Sequence, residues 1–202
     1  MLCDPVHYEG VEDPGLQSRR VCGEELTLIW LVFGPSGVGK SCFGKWLALE
    51  QNWMHLEIDQ HPLDGIDSYK LRPEWEEFYT NRGSALPLRQ AIEERMGGVR
   101  TAHCVLTFPG CFALDQRHIT AADHEGMRIV NLYGSEKQCL ERFLERERLS
   151  GRKLDRDWWE GKRGDVFEKL RAPISARHTI DVFTGSGTRK SHAEIFAALM
   201  KK

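Results

Sequence analysis

The densest chemistry in this 202-residue chain is one short run, Gly34-Pro35-Ser36-Gly37-Val38-Gly39-Lys40-Ser41, which fits the pattern GxxxxGK[ST]. At ordinary glycine usage a chance match to its four fixed positions falls in roughly one chain in a hundred. Gly34, Gly37 and Gly39 allow the backbone to turn successive N–H groups inward around an anion. Lys40 adds a point charge to the β- and γ-phosphates, and the Ser41 hydroxyl can ligate Mg²⁺. Cys42 and the residues after it would open a helix whose N-terminus meets the same anion. Residues 34–42 are therefore read as a nucleotide-binding loop.

A second signal is Leu56-Glu57-Ile58-Asp59. Carboxylates two residues apart share one face of a strand, and at a strand's carboxyl end beside the loop they face a ligand crevice. Glu57 suits the shell of Mg²⁺, and Asp59 suits the acceptance of a proton from a substrate hydroxyl. A solvated strand end with two ordinary carboxylates is the plainer alternative. The next apolar run ends Thr107-Phe108-Pro109-Gly110, with no carboxylate before Asp115. That argues against motor and AAA-type ATPases, while Pro109 and Gly110 offer backbone that a ligand can approach.

Arginines form the third signal. Arg142 and Arg146 share a helix face, as do Arg148 and Arg152 if the helix continues. Like charges at that spacing repel unless an anion sits between them, and a triphosphate in transfer is such an anion. The interleaved Glu141, Glu145 and Glu147 leave open a solvated helix with its own ion pairs. Gly151, Gly161 and Gly164 would let this part move as a lid, with Trp158 and Trp159 packed in the body or laid over a substrate. Arg189, in the Gly-rich segment 184–191, is either an adenine contact or a solvated cation. Arg72, Arg82 and Arg89 lie in the long 60–100 stretch, where each is a surface arginine or a holder of an anionic group.

These groups need a scaffold. Apolar runs at 26–33, 53–58, 103–108, 127–133 and 178–183 alternate with segments of helical spacing, the βαβ pattern of a parallel sheet covered on both faces. The unbroken apolarity of the first run predicts a central strand. Ser135 with Gln138, and Ser191 with Glu194, predict capped helix starts. Residues 60–100 and 150–177 read as insertions on the sheet's working edge, residues 1–24 as an irregular acidic leader, and 25–202 as a single domain. Charge supplies exclusions. With 28 Lys+Arg against 30 Asp+Glu the net charge is −2, which argues against an electrostatic nucleic-acid binder. No apolar run approaches the ~18–20 residues of a membrane span, and the acidic N-terminus lacks a signal-peptide core. Six cysteines without a CxxC pair read as reduced thiols. A cytoplasmic monomer or homodimer is expected, with neither nucleic acid nor membrane as partner.

Taken together, Gly34–Ser41, the Glu57-x-Asp59 pair and the arginine-bearing lid resemble the small P-loop metabolite kinases of the shikimate kinase and gluconate kinase type, over about residues 25–200. The resemblance implies a three-layer α/β P-loop kinase fold, with a five-stranded parallel sheet in order 2-3-1-4-5, helices on both faces and a mobile lid over 142–173. It implies ATP with Mg²⁺, and transfer of a phosphoryl group to a hydroxyl of a small-molecule acceptor held by the 60–100 insertion. Carried over residue by residue, Lys40 and Ser41 meet phosphate and metal, Asp59 is base or substrate ligand, and Arg146 or Arg148 meets ATP. Arg171, in Arg171-Ala172-Pro173, matches an arginine that binds a substrate carboxylate. The chain departs from shikimate kinases at Phe108-Pro109-Gly110 and at Ser150-Gly151-Arg152-Lys153-Leu154, so the resemblance does not name the acceptor. A nucleotide-binding switch acting through a protein partner is the competing reading; it would need neither an acceptor base nor a closing lid.

Overall fold

The computed structural model describes residues 27–58, 72–81, 84–97, 102–108, 114–149 and 179–201. The leader, residues 59–71 and 150–178 lie outside them. Five strands, β1 (Leu28–Phe33), β2 (Met54–Glu57), β3 (His103–Thr107), β4 (Met127–Tyr133) and β5 (Thr179–Asp181), form one sheet in order β2-β3-β1-β4-β5. Every neighbouring pair in it is parallel. Each strand falls within the apolar run that predicts it. The helices are α1 (Lys40–Glu50), α2 (Arg72–Asn81), α3 (Leu86–Met96), α4 (Gln116–His124), α5 (Glu136–Leu149) and α6 (His192–Met200).

β1 occupies the middle because both of its faces are apolar. Alternate side chains feed two separate cores, as the period of two in a strand requires. Ile29, Leu31 and Phe33 join Trp75, Phe78, Leu88, Ile92 and Ile119 from α2, α3 and α4. Trp30 and Val32 join Phe43, Leu47, Cys139, Ile195 and Leu199 from α1, α5 and α6. Burying such side chains contributes about 1.5–3 kcal/mol each, which makes the sheet a stiff platform for whatever its strand ends carry. No helix among the described residues is long and apolar enough to cross a membrane.

Both predicted caps are present. The Ser191 side chain accepts from Glu194 N, and the Glu194 carboxylate accepts from Ser191 N, closing a capping box. Ser135 accepts from Gln138 N at 3.2 Å, and Gln138 Nε2 reaches on to the Gly187 carbonyl at 2.7 Å. A second capping box, at the start of α4, is new to the structure. Asp115 accepts from Arg117 N and His118 N, and His118 Nδ1 accepts from Asp115 N. The other ring nitrogen of His118 lies 3.0 Å from the Tyr79 carbonyl in α2, so one imidazole both starts α4 and ties it to α2. Asp115→Ala should cost about 1 kcal/mol, a fall in Tm of about 2–4 °C for a chain of this size, measured by thermal circular dichroism.

Candidate active site

β1 ends at Phe33, and the chain then turns tightly through the phosphate loop into α1. Gly39 is the N-cap of α1, with φ 96°, and no side chain caps that helix start. Its first N–H groups therefore point out with no protein oxygen from a capping side chain, and no acidic residue occupies the first turn. Gly37 also holds positive φ, 82°, and a Cβ there would overlap the Cys139 carbonyl of α5. A Cβ on Gly39 would overlap the Arg189 guanidinium. The loop is thus clamped between α5 and the segment before α6, and glycine is demanded by conformation and by space at once.

Lys40 is buried, and its Nζ donates to the carbonyls of Gly34 at 2.8 Å and Pro35 at 3.1 Å. Ser41 Oγ donates to the Glu57 carboxylate at the end of β2. The hydroxyl and the carboxylate expected at a metal are therefore already joined, and the donor set, two hard oxygens beside an anion loop, fits Mg²⁺. Behind Glu57, His55 is largely buried; burial first and the Lys45 charge second push its pKa down to about 4.

The arginines sort themselves by partner. Arg146 is held by Glu147 at 2.7 Å and Arg148 by Glu145 at 2.8 Å, with side-chain exposures of 56% and 70%. Arg142 lies over the Phe183 ring, 5.9 Å from its centroid. Arg189 Nη2 lies 3.5 Å from the Val38 carbonyl, and its buried Nε has no hydrogen-bond partner among the described residues. Burial, and then the charge of Arg142, push the Arg189 pKa below the ordinary guanidinium value, yet arginine stays protonated in proteins. Neither Arg142 nor Arg189 has a carboxylate partner among the described residues. Cys139, whose thiol burial raises to about 11, brings no negative charge to them. Two guanidiniums beside an uncapped helix start, without a carboxylate partner among the described residues, fit a polyphosphate.

Beside them an open cleft of ≈ 520 Å³ runs between the start of α5 and the 181–187 segment, lined by Lys137, Gln138, Glu141, Asp181, Phe183 and Thr184. That volume lies in the range of nucleoside-sized ligands.

Of the site residues expected from sequence, the structure brings together Gly34 to Cys42, Glu57 and Arg189. Arg89 lies apart from them. Arg89 on α3 pairs with Glu93 at 2.7 Å and donates to the Glu125 carbonyl. Glu125 lies two residues before β4, so this guanidinium sits toward the amino ends of the parallel strands, whereas the 34–41 loop follows the carboxyl end of β1. Arg142, which the spacing showed only as one member of a set, is the arginine the structure places by the loop. Asp59, Pro109, Gly110 and Arg171 lie outside the described residues, as does the lid beyond Leu149.

With its phosphate loop between β1 and α1 and its strand order 2-3-1-4-5, the chain has the P-loop kinase fold. No protein-family model matches it, and neither does any curated protein. Solved structures similar to it include a gluconokinase from Sinorhizobium meliloti 1021, at 23% identity and TM-score 0.47, over 85% of this chain and 89% of that one. A shikimate kinase from Acinetobacter baumannii in complex with shikimate aligns at 18% identity and TM-score 0.41, over 88% and 95%. A sugar kinase from Janibacter sp. HTCC2649 aligns at 16% identity and TM-score 0.46, over 87% and 93%. At such scores function has to be argued from the site.

The sorting of arginines is directly measurable. Arg142→Ala should weaken binding of inorganic tripolyphosphate about tenfold, as expected for one lost charge-assisted contact. Arg148→Ala, which removes only an exposed ion pair, should leave it within about twofold. Isothermal titration at constant ionic strength reads both.

Proposed function

We propose that this chain is an ATP- and Mg²⁺-dependent kinase that transfers the γ-phosphoryl group to a hydroxyl of a small-molecule acceptor. The observation that carries the reading is the convergence, on one uncapped helix start, of Lys40, the Ser41–Glu57 pair and two guanidiniums without acidic partners among the described residues. Anion loops occur in many proteins; unbalanced arginines beside one suit a reaction in which charge moves across phosphate oxygens.

Each residue then has a task. Backbone N–H groups of Gly37 to Ser41 hold the β- and γ-phosphates. Lys40 exchanges the Gly34 and Pro35 carbonyls for phosphate oxygens. Ser41 and Glu57 would hold Mg²⁺, which when bound would supply charge neutralisation to the phosphates. Arg142 and Arg189 bind the phosphate chain from the α5 side, and the cleft under Phe183 and Thr184 takes the base. Arg146 and Arg148 reach ATP only by giving up Glu147 and Glu145. Asp59 accepts the proton as the acceptor oxygen bonds to phosphorus and the bond to the β-bridging oxygen breaks, releasing ADP. Pro109, Gly110 and Arg171 contribute to the acceptor side.

A panel of polyols, sugar acids and hydroxylated metabolites, scored for acceptor-dependent ADP release, tests the reading. Stimulation by none of them, with ATP still bound, would favour the nucleotide-binding switch. With an active acceptor, Lys40→Ala should lower turnover by about 10²–10³-fold, the scale of a lost transition-state donor, while circular dichroism shows the fold retained. Asp59→Asn should bind ATP as before and lower transfer by about 10²–10⁴-fold, the range of a lost general base. Unchanged transfer in Asp59→Asn removes that residue from the chemistry.

A further inference from the structure

α1 and β2 meet along two rungs. At the crevice end Ser41 reaches Glu57; one turn deeper Gly44 lies against His55. The two chains run in opposite senses, and three residues of helix, about 4.5 Å, are set against two residues of strand, about 6.6 Å. The second rung has no slack. A Cβ at Gly44 would overlap the His55 ring, and its three nearest heavy atoms all belong to that imidazole. The ring is fixed in turn, since His55 Nε2 lies 3.0 Å from Thr107 Oγ1 on β3. Thr107 is buried, lies 3.5 Å through the same oxygen from the Leu56 carbonyl, and is the register partner of Glu57. Glycine inside a helix costs about 1 kcal/mol against alanine, so packing at this position offsets a local penalty.

We infer that His55 is a positioning residue: its ring, wedged against Gly44 and anchored by Thr107, sets the α1–β2 separation at which Ser41 Oγ meets the Glu57 carboxylate. It acts on the metal pair through the helix and touches no nucleotide. The inference depends on the proposed role of Ser41 and Glu57 at Mg²⁺, and the experiment separates the two.

ATP binding is measured on the full chain with and without Mg²⁺, and the ratio of the two affinities is the Mg²⁺ enhancement. Gly44→Ala, which pushes the helix off the ring, should lose about tenfold of that enhancement while metal-free ATP affinity stays within about twofold, the usual scale for supports of metal ligands. Gly44→Ala/His55→Ala, with the ring removed, should recover most of it. Thr107→Val frees the imidazole without adding volume and should act in the same direction; it carries the test should Gly44→Ala fail to fold. In the protein without nucleotide or metal, amides in the first turn of α1 and in β2 should exchange faster in both variants. Full enhancement in folded variants, equal loss of metal-free and Mg²⁺-bound affinity, or no recovery in the double variant would overturn the inference while leaving the metal pair in place. Wild-type binding of ATP without any Mg²⁺ enhancement would remove the metal role of Ser41 and Glu57, and the positioning role with it.

Discussion

Positive charge gathers around residues 34–41, where among the described residues neither Arg142 nor Arg189 has a carboxylate partner, and much of the surrounding structure follows from holding these cations there. Arg142 and Arg189 lie close enough for one to lower the pKa of the other, and Lys40 is buried on carbonyls of its own loop. Arg189 cannot relieve such crowding by swinging into water, because it is fixed where a Gly39 Cβ would be, while the exposed Arg142 lies over Phe183. Gln138 ties the start of α5 to Gly187. The burial of apolar residues on both sheet faces offsets this local cost, an arrangement that stores binding readiness in a preorganised site.

How much of this the sequence carried depends on the range of each interaction. Strands were legible because burial on both faces leaves unbroken apolar runs, and β4 spans Met127–Tyr133 as its run does. The phosphate loop was legible because its glycines answer to local backbone geometry. The Ser41–Glu57 pair followed from placing a strand end beside that loop. The surroundings of Arg89 are not legible for the opposite reason. Spacing shows that α3 is a helix, but not which end of the strands its first turns approach, and that is decided by packing of Leu88, Ile92 and Met96 into the core. The choice among Arg142, Arg146 and Arg148 was equally hidden, since it turns on which carboxylates capture a neighbour. The Asp115 cap escaped notice because its reciprocal partner is His118, where the familiar pattern has Glu or Gln.

The role of Gly44 shows how a packing constraint reaches chemistry. Helix-to-sheet distance is ordinarily an average over many side chains, and one substitution shifts it little. Over a glycine facing a ring the distance is set by a single contact, so the geometry two residues up the strand inherits the precision of that contact. Preorganisation within fractions of an ångström is what metal and phosphoryl sites require of their supports.

The division of the interior has a further consequence. Among the described residues, side chains of β1 that point one way share a core with α1, α5 and α6, and those that point the other share one with α2, α3 and α4. Phe33, Trp75 and Phe108 pack together on one side, Trp30, Trp53 and Phe196 on the other, with the sheet between them. Substitutions that reshape the α2–α3 side are thereby separated by the sheet from the packing around α1 and Val38. Such a molecule can drift in one half while the other half stays fixed, so one face can diverge without disturbing the loop geometry held by the other.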